Sequence, residues 1–176
     1  MKALSILALA GLFVAGCAQM GLGGGGGATA VANLEPTKGN TTKGRVTFTQ
    51  QGERVRVTAQ LSGLKPNAEH GFHVHEKGDC SSGDGMSAGG HFNPASRPHG
   101  NYHVGGERHA GDLPNVKSDG SGNATATFET TGITIGSGAA DIVGKGLIVH
   151  RDPDDYKSQP AGNAGPRLAC AVIAKG

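Results

Sequence analysis

Residues 45–61, RVTFTQQGERVRVTAQL, alternate apolar and polar side chains on both sides of Gln51-Gly52. A period of two over Arg45–Gln50 and again over Glu53–Leu61 is the pattern of a strand with one buried face. A glycine-containing turn between two such runs is typical of a β-hairpin. The stretch therefore predicts two antiparallel strands.

The composition of the rest of the chain also favours short strands joined by turns. Glycine accounts for 32 residues, aromatic side chains for 4% of the chain, and tryptophan is absent. No window after residue 35 sustains apolar side chains at helical spacing. The sequence predicts an all-β fold, an antiparallel sandwich or barrel. The further predicted strands are Gly71–Glu76, Ala124–Glu129, Ile142–His150 and Arg167–Ile173.

The histidines are concentrated in one predicted strand and in the glycine-rich segment that follows it. Loops as long as residues 77–120 and 151–166 are usually functional or disordered. Because these two hold most of the polar chemistry, we expect them to be functional. The eight histidines lie at positions 70, 73, 75, 91, 99, 103, 109 and 150.

The spacing of these histidines indicates two metal sites. His73 and His75 alternate with apolar residues, so on a strand both imidazoles face the same side and can chelate one metal. His150 ends a later predicted strand and can complete that site from across the sheet. Nitrogen donors without a thiolate suit Cu(II).

The second predicted site lies in the long loop. His91, His99 and His109 are followed by Asp112, three residues after the last histidine. Three imidazoles and a carboxylate satisfy a tetrahedral zinc site that has no open position.

Five blocks of sequence, in the same order, resemble the copper,zinc superoxide dismutase family over about residues 34–174. The resemblance implies an eight-stranded antiparallel Greek-key β-barrel with long metal-binding loops. It also implies an enzyme that converts superoxide to oxygen and hydrogen peroxide by copper redox cycling, with zinc as a structural, orienting metal. The blocks are Gly71–Glu76 with Gly78-Asp79, His91–Pro94, Glu107–Leu113, Val149-His150 and Gly162–Cys170.

The resemblance also implies the roles of individual residues. His91 is expected to be the imidazolate shared by both metals, and Arg167 the arginine beside the copper. Asp154 resembles the carboxylate that links His73 to His99. The implied copper ligands are His73, His75, His91 and His150, and the implied zinc ligands are His91, His99, His109 and Asp112.

Two histidines fall outside this scheme. His103 lies in a stretch longer than in eukaryotic relatives, and it either competes with His99 for zinc or is an exposed loop residue. His70 precedes the first block, where family members often carry a histidine that hydrogen-bonds within the fold, so we expect a structural role.

Two functions of other classes remain as alternatives. One is a non-catalytic, exported copper- or zinc-binding protein that stores or donates metal. The other is a purely structural Greek-key module. A storage protein needs neither an arginine at the open copper face nor a shared imidazole, and a module without activity would be expected to lose ligands.

The N-terminus has the pattern of an exported protein. Residues 1–16, with Lys2 and an apolar run, predict a signal peptide. Val14-Ala15-Gly16-Cys17 resembles the bacterial lipobox, in which the cysteine is lipidated; the alternative is an ordinary signal peptide with an incidental cysteine. Residues 17–33 are expected to be a lipid-anchored, flexible Gly-rich tether, with the folded domain over residues 34–176.

This organisation predicts a location in the cell envelope or periplasm, with the outer membrane favoured by Ala18. In that oxidising compartment Cys80 and Cys170, the two cysteines left after Cys17, are expected to be bonded. The family has a disulfide at the matching positions.

The formal net charge of +2 bears on possible partners. The sequence has no basic stripe, which argues against nucleic-acid binding. An anionic substrate is compatible with this charge because steering depends on local charge in a cleft. Membrane contact is expected only through the lipid anchor, and a homodimer is possible.

Overall fold

The computed structural model describes residues 27–176, which form an all-β fold. A 3₁₀ turn covers Met86–Ala88. Among these residues no helix is long and apolar enough to cross a membrane. The strands are β1 (Thr29–Pro36), β2 (Lys43–Gln51), β3 (Arg54–Ser62), β4 (Glu69–His70), β5 (Phe72–His75), β6 (Val116–Lys117), β7 (Ala124–Thr130), β8 (Gly146–His150), β9 (Arg167–Val172) and β10 (Ala174–Lys175).

Eight of these strands form one antiparallel sheet that curls into a half-barrel, consistent with the predicted barrel. Its order is β5-β8-β9-β1-β2-β3-β7, and β10 pairs with β1. The remaining strands, β4 and β6, pair with each other. Neighbours that are distant in sequence, such as β3 with β7 and β9 with β1, show that the chain crosses over between strands as in a Greek key.

The hairpin predicted over residues 45–61 is confirmed. β2 and β3 pair without a bulge from Lys43↔Ser62 to Gln51↔Arg54, which leaves a two-residue turn. Gly52 is the first turn residue and has a φ of 60°, as glycine permits. The alternation follows burial, because Val46, Phe48 and Val57 are fully buried.

The folded region begins earlier than predicted. β1 starts at Thr29 rather than at Leu34, so the last residues of the expected tether belong to the sheet. Ala30 and Ala32 are fully buried beside Leu34, but alanine is so small that this alternation is a weak signal in the sequence. Residues 1–26, with the predicted signal peptide, Cys17 and most of the tether, lie outside the described residues.

The strand predicted over Ile142–His150 is shorter in the structure, where β8 begins at Gly146. Ile142 is buried, but Gly144 has a φ of 80° and the Lys145 N–H donates to the Ile142 carbonyl oxygen at 3.0 Å. The apolar side chains here therefore pack in a turn that precedes the strand.

Strands β5 and β8 are buried on both faces, and this positions the site. Phe72 and Val74 point into the main core, so His73 and His75 lie on the opposite face. The same alternation in β8 places Leu147 and Val149 in the core. The outer face is covered by the segments 77–120 and 151–166, which carry the remaining candidate ligands.

Candidate metal centre

Backbone pairing brings loop histidines onto the outer face of β5. His75 forms an isolated antiparallel bridge with His91, and His73 forms one with Asp112. On the other side of β5, its neighbour β8 ends at His150. Groups that are far apart in the sequence are thereby fixed around one short strand.

The first cluster consists of four buried imidazoles, those of His73, His75, His91 and His150, with one ring nitrogen from each within 4.8 Å of the others. The Nε2 atoms of His75 and His150 are 3.4 Å apart. His75 Nδ1 donates to the Gly89 carbonyl oxygen at 2.9 Å, and His150 Nδ1 donates to the Gly165 carbonyl oxygen at 3.0 Å. These bonds place the protons on Nδ1, so both Nε2 lone pairs point to one centre.

The second cluster surrounds one oxygen of Asp112, and its ligand atoms also lie within 4.8 Å of one another. Asp112 Oδ1 is 2.8 Å from Nδ1 of His91, 3.0 Å from Nδ1 of His99 and 3.2 Å from Nδ1 of His109. Its other oxygen, Oδ2, accepts the backbone N–H groups of His109 and Gly100. His91 belongs to both clusters, with one ring nitrogen directed to each.

Asp154 connects the two clusters from behind. Its Oδ2 accepts from His73 Nε2 at 2.8 Å, and its Oδ1 accepts from His99 Nε2 at 3.0 Å. The Tyr156 backbone N–H also donates to Oδ1, at 2.7 Å. Because Asp154 holds the outer nitrogens, the Nδ1 atoms of the two rings are turned toward their own clusters.

The donor atoms fit two metal ions. His73 Nδ1, His91 Nε2 and His99 Nδ1 are buried and have no hydrogen-bond partner. A buried polar atom without a partner costs roughly 1–3 kcal/mol, and a metal that accepts the lone pair removes that cost. Four nitrogens suit copper, and three nitrogens with one carboxylate oxygen suit a closed zinc site.

The protonation preferences of the clusters support this fit. Burial lowers the pKa of His91 to about 4 and that of His150 to about 3, so both rings are neutral donors at neutral pH. Burial opposes a charge on His99, but the nearby carboxylates of Asp112 and Asp154 outweigh it and raise its pKa to about 9. Two carboxylates thus favour a cation between them.

Arg167 is fixed beside the first cluster. Its Nη1 donates to the Gly85 carbonyl oxygen and its Nη2 donates to the Gly89 carbonyl oxygen at 2.6 Å. The same Gly89 oxygen accepts from His75, so one carbonyl holds both a ring of the first cluster and the guanidinium. After burial and the neighbouring histidines, the charge of Arg167 is a further cause that lowers the pKa of His75 and His150.

The predicted disulfide is confirmed. Cys80 and Cys170 are bonded, with their Cα atoms 5.8 Å apart. The bond ties the segment that contains Gly85 and Gly89 to β9, where Arg167 lies. In the chain-entropy model a loop of this length contributes about 4–5 kcal/mol to stability.

The two histidines outside the scheme are also accounted for. His103 is exposed and belongs to neither cluster; its ring lies edge-on to Tyr102 and Tyr156. It is therefore the exposed loop residue and not a competitor of His99. His70 is fully buried, and its Nδ1 donates to the carbonyl oxygen of His150 at 2.9 Å, which is the structural role expected.

The sequence did not single out two residues that hold Asp154 in place. Asn115 Nδ2 donates to the Asp154 carbonyl oxygen at 3.0 Å, and Asn115 Oδ1 accepts from the Asp154 N–H at 2.9 Å. A Cβ at Gly162 would lie 1.8 Å from Asp154 Oδ1, and its φ of +64° also favours glycine. In the sequence, Gly162 begins the block Gly162–Cys170 but was given no role of its own, and Asn115 lies two residues after the block that ends at Leu113.

The fold and the clusters together define a β-sheet metalloprotein with two adjacent sites that share one imidazole. Comparison with known proteins gives the family. The family model for copper/zinc superoxide dismutase matches residues 42–173, and the chain belongs to this family. Copper and zinc are the cofactors of the family, and both fit the clusters described above.

Individual relatives agree with this membership. Copper-zinc superoxide dismutase 1 of Aquifex aeolicus is 42% identical over 74% of this chain and 79% of the relative. The extracellular copper-zinc superoxide dismutase of Drosophila melanogaster is 43% identical over 74% of this chain and 75% of the relative. The crystal structure of the clock protein EA4 matches with a TM-score of 0.75 at 41% identity, over 83% of this chain and 93% of that one.

Proposed function

We propose that this chain catalyses the dismutation of superoxide to oxygen and hydrogen peroxide. The observation that carries the proposal is the shared imidazole of His91 between the two clusters, with the Arg167 guanidinium fixed beside the first. Copper would be held by His73, His75, His91 and His150. Zinc would be held by His91, His99, His109 and Asp112.

The chemistry divides between the metals and the protein. When bound, copper supplies the one-electron redox change that both half-reactions need, whereas zinc has none and serves to orient. Arg167 offers a charged N–H fork to the superoxide anion, and the Gly85 and Gly89 carbonyls keep that fork in place. Nε2 of His91 would take a proton from solvent while it does not hold copper and pass it to the product peroxide, whose second proton would come from solvent.

The geometry favours this function over metal storage or a structural role. A storage site needs no cation beside the metal, yet here one arginine is oriented by two carbonyl oxygens. A structural module needs no set of buried, unpartnered ring nitrogens, and three are present in the clusters. Both alternatives remain outcomes of the experiment that follows.

Superoxide decay followed directly by stopped flow will test the function. The protein, produced in an oxidising compartment and loaded with both metals, is expected to give fast decay that slows as salt is added. Arg167→Ala is expected to slow the decay at least about tenfold, because the anion loses its fixed countercharge. Arg151→Ala is the matched control, since Arg151 is exposed and paired with Asp152.

The outcomes separate the functions. Arg167→Lys should recover part of the lost rate, because it restores the charge but not the fork. Decay no faster than that of copper-free protein, with both metals shown to be bound, would reject catalysis and leave storage or transfer.

We propose further that the chain is exported to the cell envelope and anchored through lipidated Cys17. The sequence Val14-Ala15-Gly16-Cys17 supports this, as does the disulfide, which is typical of oxidising compartments. Expressed as the full chain in a bacterial host, the protein is expected to partition into the detergent phase and Cys17→Ser into the aqueous phase. Wild-type protein in the aqueous phase would contradict the anchor.

A further inference from the structure

A cavity of about 350 Å³ lies beside the second cluster. His109 lines it together with two arginines, Arg97 and Arg108. Small apolar side chains line the rest, among them Ala95, Ala110 and Ala139. The cavity is distinct from the first cluster, none of whose residues lines it.

One ring nitrogen of His109, a residue that lines this cavity, has no acceptor in the protein. Its Nδ1 lies 3.2 Å from Asp112 Oδ1 and 3.4 Å from His91 Nδ1, so Nε2 is the nitrogen left to the cavity. His109 is 7% exposed, and its Nε2 makes no hydrogen bond within residues 27–176 but is not fully buried, so it is open to solvent or to a ligand. Four other histidines belong to only one cluster, and the ring nitrogen of each that faces away from its cluster has a protein acceptor. These histidines are His73, His75, His99 and His150.

The two arginines leave positive charge without a countercharge. Within residues 27–176, no carboxylate lies within 4.0 Å of the guanidinium of Arg97 or Arg108. Arg108 Nη2 donates to Thr130 Oγ1 at 3.3 Å, but its Nε is buried and has no partner. Arg97, which is exposed, Arg108, which has one buried N–H without a partner, and His109 therefore line one small cavity.

We propose that this cavity binds a small organic monocarboxylate with a short apolar body. A carboxylate matches the guanidinium fork and also accepts an imidazole N–H. The alanines offer contact to an apolar body but no hydrogen bonds, which distinguishes such a ligand from a bare anion. The volume lies at the small end of the range for ligand pockets.

The bound carboxylate acts on the second cluster through His109, and this part rests on the zinc assignment proposed above. Zinc-binding histidines usually donate their outer N–H to an acceptor, and loss of that acceptor typically lowers metal affinity about 10–100-fold. The carboxylate supplies the acceptor that the protein lacks at His109. By linkage, zinc and the carboxylate then strengthen each other's binding by the same factor.

Benzoate is the probe, with protein loaded with zinc and with copper reduced to Cu(I), so that its spectra are diamagnetic. Benzoate is expected to shift the amide signals of Ala110, Gly132 and Ala140, which line the cavity, and to saturate. Arg97→Gln is expected to weaken binding about tenfold, since it removes one charged partner of the carboxylate. Arg45→Gln, an exposed arginine on β2 outside the cavity, makes the same change in net charge and should not weaken it.

A second readout follows the metal. Benzoate is expected to slow zinc release to a chelator several-fold in the wild type but not in Arg97→Gln, and the neutral analogue benzamide should have no effect. Unsaturable binding, equal weakening by Arg45→Gln, or phosphate binding as tight as benzoate would overturn the assignment. Absence of zinc from the loaded protein would instead reject the zinc assignment, while the amide shifts would still report on the cavity.

Discussion

Removal of both metals with a chelator is expected to lower the thermal midpoint of unfolding by roughly 10–30 °C. The three buried ring nitrogens without partners cost about 1–3 kcal/mol each when no metal binds them. In a protein of this size, 1 kcal/mol corresponds to about 2–4 °C in the midpoint. Asp112 adds to the effect, because its buried carboxylate loses the positive charge of the metal ion when zinc is removed.

Calorimetry of metal-free and reloaded protein without reductant will measure the shift, so that the Cys80–Cys170 bond stays closed. Zinc alone should restore part of the midpoint and copper the rest, whereas magnesium should restore none. His103→Ala is the matched control, because this histidine lies outside both clusters and its loss should leave the metal-dependent shift intact. A metal-free protein within a few degrees of the loaded one would contradict the expectation.

The second large effect is expected from Asp154→Asn, which should weaken both metals together by about 10–100-fold each. The carboxylate accepts N–H groups from His73 and His99 on its two oxygens. An asparagine has one neutral oxygen and one NH₂ group, so one ring loses its acceptor and the other keeps only a weaker, uncharged one. Since each ring belongs to a different cluster, a single substitution disturbs both.

Competition with chelators, carried out separately for copper and zinc, will measure these affinities. Asp152→Asn is the control, two residues away, where the carboxylate is exposed and pairs with Arg151. If only one affinity falls, Asp154 does not act as the link between the clusters. If Asp152→Asn has the same effect, the loss of negative charge in the segment is the cause, and not the hydrogen bonds.

The sequence predicted those parts of the molecule whose structure depends on the type of side chain at each position. The hairpin of residues 45–61 follows from its alternation, and resemblance to the family indicated every residue that the structure brings into the two clusters. The first strand was missed over Thr29–Asn33 because its inward positions are alanines. Their burial depends on strand β2 alongside, which local composition does not reveal.

The supporting contacts were less accessible because many are made by the backbone. The Gly89 carbonyl oxygen accepts from both His75 and Arg167. Because every residue has a backbone carbonyl, the sequence does not show which one makes these contacts. Likewise, Nε2 of His109 is free because no protein acceptor lies next to it, and the residue type alone does not predict this. Such features arise from the path of the loops, which residue types alone do not fix.

Strand β1 also sets the distance between the N-terminal end of the sheet and Arg167. The Gly176 N–H donates to the Thr29 carbonyl oxygen, so the two ends of the described chain leave the sheet side by side. At its other end β1 reaches Pro36, and the Thr37 hydroxyl donates to the Arg167 carbonyl oxygen. Eight residues of strand span about 23–26 Å. The point at which the residues before Thr29 join the sheet therefore lies a full strand length from Arg167.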